Sequence, residues 1–297
     1  MKILISAVTV LMMAFSSFTG LSDVHFAAFH SAVPQDHVAL STLATPAEDA
    51  SYTPSLQTDF SKLYPISNKF LYWGQGTIMD PENRPEGSIK AQSAYGKYGA
   101  DFIRENTKNL YLTLDEGYEN GYTSKILDVL KEKDCPAVFF VTMPYVKANP
   151  ALIQRMIDEG HVVGAHSVTH PEKGMPSLSL EKQAEEIRKL HAYVKDTFDY
   201  DMYLFRYPAG IYSEQSLALV QQMGYRSVFW SFAYRDWITD DQPEPAAALK
   251  KLETRLHPGA IYLLHAVSKT NTDILGEFID QTRAKGYTFA KYAPEQQ

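Results

Sequence analysis

The sequence predicts an α/β fold, a closed or nearly closed β/α barrel of about seven parallel strands, and three observations carry that prediction. Short, β-rich apolar runs fall at residues 110–114, 138–141, 162–165, 203–205, 227–230, 261–264 and 288–289, with helical patterns at 123–133, 150–159, 180–197, 214–223, 246–257 and 272–284 between them. The runs are nearly continuous rather than alternating, as expected of strands buried on both faces. All of this fits within residues 109–292, which suits a closed or nearly closed barrel better than an open doubly wound sheet. No Gly-x-Gly-x-x-Gly or Walker pattern follows any run, which weakens a nucleotide-binding version of the open sheet.

The elements follow in order. Residues 1–20 read as an export signal: Lys2, an apolar run from Ile3 to Phe15, then Ser16, Ser17, Thr19 and Gly20. The apolar run is short of the roughly 20 residues a membrane span needs, so export is expected. Residues 21–66 are rich in Ser, Thr, Ala, Pro and His without a sustained period and read as a linker or loosely ordered arm. Residues 67–297 form the expected catalytic domain, and no internal repeat is visible. Its 45% hydrophobic content supports one sizeable core. A net charge of −7 argues against nucleic acid as a partner. Cys135 is the only cysteine, so a disulfide framework is excluded and any metal must be held by His and carboxylate.

In a parallel barrel, chemistry gathers where the strands end and the βα loops converge. Five runs pass directly into ionisable or hydrogen-bonding residues at that end: Asp115-Glu116, His166 with His170, Arg206, Ser231 followed by Asp236, and His265. Adjacent acids at a strand end often only cap a turn. Because consecutive side chains diverge, however, Asp115 and Glu116 can do separate jobs, one binding a cation and the other taking a proton. His166 and His170 can converge on one ion in a compact loop, although exposed loop histidines of that spacing are common. Arg206 can orient a carboxylate. His265 is the better acid candidate, with Asp236 able to hold its ring, and Trp237 suits core packing or a sugar platform.

Taken together, Thr113-Leu114-Asp115-Glu116-Gly117, His166 to His170, Arg206-Tyr207-Pro208-Ala209-Gly210, Asp236-Trp237 and Leu263-Leu264-His265 resemble the five motifs of the polysaccharide deacetylase family, the NodB homology domain of carbohydrate esterase family 4. Tyr72-Trp73-Gly74, the segments at 115–123 and 231–237, and His257-Pro258-Gly259 leading into His265 resemble more closely its δ-lactam-biosynthetic de-N-acetylases. The resemblance implies a deformed, NodB-type β/α barrel and metal-assisted hydrolysis of a sugar N-acetyl group. It makes Asp115 the general base, His265 the general acid, and Glu116, His166 and His170 ligands of a divalent metal, expected to be zinc. Arg206 would orient Asp115 and Asp236 would support His265. The backbone N–H of Tyr207 would hold the oxyanion, and Trp73 and Trp237 would bind glycan. Glu116 stands where the broad family has Asp, and Leu114 where it has Phe.

The branch implies muramic acid in spore-cortex peptidoglycan as substrate, after an N-acetylmuramoyl-L-alanine amidase has removed the peptide, and a secreted or wall-associated monomer is expected. Chitin-type oligosaccharides or acetylxylan are the alternative substrates. A glycan-binding pseudoenzyme is a further alternative, disfavoured because Asp115, Arg206, Asp236 and His265 are all present.

Overall fold

The structure is a computed structural model that describes residues 55–293. The export signal and the stretch at 21–54 lie outside the described residues. In chain order the strands are β1 (Leu71–Tyr72), β2 (Ala100–Asp101), β3 (Asn109–Glu116), β4 (Ala137–Val141), β5 (Val162–Ala165), β6 (Leu204–Phe205), β7 (Ile211–Tyr212), β8 (Arg226–Val228), β9 (Phe232–Ala233), β10 (Ile261–His265) and β11 (Thr288–Phe289). The helices are α1 (Glu86–Tyr95), α2 (Thr123–Glu132), α3 (Met143–Ala148), α4 (Pro150–Asp158), α5 (Leu180–Phe198), α6 (Glu214–Gln222), α7 (Pro245–Thr254) and α8 (Lys269–Ala284).

The main sheet is parallel and runs β2-β8-β6-β5-β4-β3-β10-β9, with β11 also pairing β3. It curls into a half-barrel wrapped by helices. All seven expected strands are present. Sequence reading missed β2, β9 and the antiparallel pair β1–β7, each of only two residues and too short to show a period.

Burial on both faces explains the continuous apolar runs. Along β3, Tyr111 faces the barrel interior, where it packs with Val138, Phe140, Val162, Leu204, Val228 and Ile261. Leu110, Leu112 and Leu114 instead join the layer beneath the helices with Ile126 and Leu127. Period-two alternation therefore turns Thr113 and Asp115 inward and Glu116 outward. Gly164 leaves room for the Phe140 ring, since a Cβ there would lie 2.6 Å from it.

One expectation is corrected. The end of the supposed loose arm, 56–66, is docked on the domain: Leu63 is buried, and Leu56, Phe60 and Ile66 pack against the core. The Gln215 side chain donates to the carbonyls of Leu63 and Ile66, and Arg188 to that of Leu56. These apolar residues recur every three or four positions, but the segment forms only one short 3-10 turn, Phe60–Lys62, and docks through side chains spread along an otherwise polar stretch.

Candidate active site

Neighbouring strands set the geometry. In the β3–β10 pair, Asp115 is in direct register with His265, so a carboxylate and an imidazole stand side by side at the carboxyl ends. Each is held by a buried partner.

Arg206, fully buried at the end of β6, donates from Nη1 to Asp115 Oδ1 and to Thr113 Oγ1, each at 2.8 Å. Its remaining donors are satisfied by the carbonyls of Val228 and Phe229, each at 3.0 Å, and its guanidinium lies 4.2 Å from the Phe140 ring centre. The planar fork is thereby locked against one carboxylate. Burial alone would raise the Asp115 pKa, but the charges of Arg206, His166 and His265 outweigh it and hold the carboxyl below its ordinary value.

His265 Nδ1–H donates to Asp236 Oδ1 at 2.7 Å, while Asp236 Oδ2 accepts the backbone N–H of His265 at 2.9 Å and Asn271 Nδ2 at 2.6 Å. Burial would lower the His265 pKa; the hydrogen bond and charge of Asp236 outweigh it, and the pKa is raised. Asp236 is fully buried, whereas the His265 side chain keeps 23% of its surface open. Exposed Trp237 lies beside it, ring centres 5.4 Å apart.

His166 donates from Nδ1 to the Arg206 carbonyl at 2.8 Å and turns Nε2 toward Asp115 Oδ2 at 3.7 Å. Burial pushes its pKa down to about 4 and also lowers that of His170, so both rings are neutral near pH 7. The two rings meet edge to face with centres 5.0 Å apart.

The arrangement brings together Asp115, Arg206, His166, His170, His265, Asp236 and Trp237. Of the other expected members, Trp73 and Glu116 stand apart, and Tyr207 can take part only through its backbone, as expected. Trp73 is engaged in packing: its indole N–H donates to the Trp230 carbonyl at 3.0 Å, and its ring meets Phe102 edge-on. The Tyr207 ring is buried and stacks on Phe229, leaving only its backbone for a substrate.

Glu116 requires a correction. Its carboxylate is fully buried on the outer face of β3, among Glu119, Thr123 and Tyr145, and neither oxygen has a hydrogen-bond partner. Burial, then the charges of Glu119 and Asp115, raise its pKa well above the ordinary value. Among the described residues, no group of three or more His, Cys, Asp or Glu side chains is arranged to hold an ion. The expected set of Glu116, His166 and His170 is therefore not assembled, because strand alternation sends Glu116 to the wrong face.

Sequence reasoning missed Thr113 and Asn271. Thr113 was legible, since it lies two residues before Asp115 on the same strand face. Asn271 was not: it reaches Asp236 because Ser268 caps α8 and sets its first turn.

A curled parallel sheet with an oriented carboxylate and histidine on adjacent strands is a β/α-barrel site built for acid–base chemistry. Comparison with known proteins makes the class specific. The polysaccharide deacetylase family model matches residues 103–228. Peptidoglycan-N-acetylmuramic acid deacetylase PdaA of Bacillus subtilis is 38% identical over 226 residues, covering 75% of this chain and 85% of the relative. The solved structure of that protein, a family 4 carbohydrate esterase, superposes with a TM-score of 0.72 at 36% identity, over 76% of this chain and 96% of the other. A family 4 carbohydrate esterase from Bacillus anthracis gives 0.62 at 39% identity, over 76% and 95%. A chitooligosaccharide deacetylase of Sinorhizobium fredii is 35% identical over 181 residues, 59% of this chain and 81% of its own. The chain belongs to the polysaccharide deacetylase family, carbohydrate esterase family 4. Membership supports a deacetylase activity assisted by a divalent metal.

Proposed function

We propose that the protein hydrolyses the N-acetyl group of muramic acid in peptidoglycan strands already freed of peptide, a step toward muramic δ-lactam in spore cortex. The observation that carries this reading is the register of Asp115 against His265, each oriented by its own buried partner. Similarity to the Bacillus subtilis muramic acid deacetylase directs it to this sugar.

In this reading Asp115, kept ionised by Arg206, takes a proton from the attacking water. The backbone N–H of Tyr207 donates to the developing oxyanion. Asp236 favours the imidazolium form of His265, in which Nδ1–H is committed to Asp236 and the Nε2 proton passes to the departing amine. Without that proton, cleavage would expel a poor leaving group. Exposed Trp237 offers a pyranose face a stacking surface. Trp73 is reassigned to packing against Phe102, with its indole N–H held by the Trp230 carbonyl.

The ion is taken as zinc, since neutral His166 and His170 are nitrogen donors that suit it; when bound, it would supply Lewis-acid polarisation of the acetyl carbonyl. Residues 1–20 would direct export, residues 67–297 would carry catalysis, and the protein would act as a monomer at the wall, after an amidase.

Acetate release and fragment masses from intact and amidase-treated peptidoglycan test the proposal. Deacetylated muramic acid from treated strands is expected. Deacetylated glucosamine as the only product, or activity confined to chitin-type oligomers, overturns it.

A further inference from the structure

We propose that Glu186 is a positioning residue for the reaction, acting through the turn that carries His166 and His170; this rests on the deacetylase reading above. The turn departs sharply from ordinary backbone. Ser167 (φ 70°) and His170 (φ 49°) both adopt left-handed conformations without being glycine, and such residues persist only where their surroundings over-determine them.

Glu186 is what over-determines them here. Its Oε2 accepts the consecutive backbone N–H groups of Val168 and Thr169 at 2.8 and 2.7 Å, and its Oε1 accepts the Thr169 hydroxyl at 3.0 Å. Successive N–H groups aimed at one point form an anion-binding concavity, and a carboxylate fills it here. The next N–H, that of His170, is held at 3.0 Å by Ser167 Oγ. Three consecutive donors are thus fixed by side chains.

The support is rigid because Glu186 stands on α5, a 19-residue helix capped by Ser179, whose Ile187, Leu190 and Val194 are buried. One chain of contacts therefore runs from α5 through Glu186 to the turn, and from His166 to Asp115. Lys189, three residues further along the helix, forms its ion pair with Glu185. Glu186 has no part in binding glycan or moving a proton, so its loss should appear in the chemistry and not in substrate grip.

The test compares holoenzyme of wild type, Glu186→Ala, Glu186→Gln and, as control, Glu185→Gln. For Glu186→Ala, kcat for acetate release from amidase-treated strands should fall about 10–100-fold, the usual cost of removing a support one step behind the site. KM should stay within about twofold, because uniform binding is untouched. Glu186→Gln keeps one acceptor oxygen for the two N–H groups and should recover most of kcat. The ring resonances of His166 and His170 should shift in Glu186→Ala, with His265 unmoved and Glu185→Gln silent. A folded Glu186→Ala enzyme with unchanged kcat overturns the proposal; if that variant does not fold, Glu186→Asp and Glu186→Gln carry the comparison. Wild type that releases no acetate refutes the deacetylase reading instead, and the ring resonances then decide alone whether Glu186 holds the turn.

Discussion

Replacing Asp236 by Asn leaves the shape of the site almost unchanged and removes one charge, so it isolates what Asp236 does for His265. The aspartate accepts the ring Nδ1–H at 2.7 Å and is braced by the His265 backbone N–H and by Asn271. Those two donors at Oδ2 would fix the Asn carbonyl there and turn its NH2 toward Nδ1, where it meets an imidazolium N–H head on. A hydrogen bond to a charged group contributes roughly 1.5–3 kcal/mol, which at about 1.36 kcal/mol per unit corresponds to one or two pH units.

The sign follows from the role. His265 acts protonated, and its pKa is raised above the ordinary 6.5, so activity holds below the raised value and declines as pH climbs through it. The variant should move that basic limb down by about one to two units and so lower acetate release on the basic side by up to about ten- to a hundredfold. Stability follows the same window: the contribution of the pair is complete below the ordinary value near 6.5 and lost as pH rises through the raised one, so the variant should flatten the melting profile there. The measurement is kcat/KM for acetate release against pH. A basic limb at the wild-type position would refute both the acid assignment and the role of Asp236.

Asp115→Asn should lower turnover by about a hundredfold to ten-thousandfold. It also leaves the Arg206 charge buried without a counterion, so chemical denaturation should show a loss of roughly 3–5 kcal/mol. His166→Ala and His170→Ala should each lower metal content and activity together, read by metal analysis of the purified protein; full activity in metal-free variants would contradict this. Trp237→Ala should raise KM more than it lowers kcat if the exposed ring is a sugar platform, which initial rates on strand fragments decide. Glu116→Gln should leave zinc affinity unchanged. Because the Glu116 pKa is raised above 4.5, wild type loses stability as pH rises from there, and the variant should melt increasingly above wild type toward neutral pH.

The legible part of the fold was the part with long elements. Strands β3 and β10 show their burial through the nearly continuous apolar runs Leu110–Leu114 and Ile261–Leu264, and capped, periodic α5 was found to within a residue. The strands that escaped notice, such as β2 and β9, are held by their neighbours' ladders and have no pattern of their own. The end of the arm was misread for a related reason. Polar composition suggested looseness, yet Leu63 and a few spaced apolar residues suffice to dock a segment when Gln215 and Arg188 satisfy its carbonyls.

The site divides along the same line. Asp115, Arg206, Asp236 and His265 were recognisable because each ends or closely follows a strand, and parallel pairing then brings those ends together. Glu116 shows where motif reading stops. The resemblance made Glu116 a ligand to the ion beside Asp115, but in a strand adjacency means opposite faces, and β3 stays regular through Glu116, which is still paired with Val141. A backbone that keeps its ladder to the last residue cannot present both carboxylates to one point. The extra methylene, which sequence comparison singles out, matters less than the direction in which it leaves the strand: a shorter Asp at 116 on the same regular backbone would also point toward Thr123 and Tyr145. Recruiting residue 116 to the histidines therefore requires breaking the β3–β4 ladder at its final pair. Replacement of Glu116 by Asp without such a break should change zinc affinity no more than Glu116→Gln does, and a gain in affinity with the ladder intact would refute this account of the site.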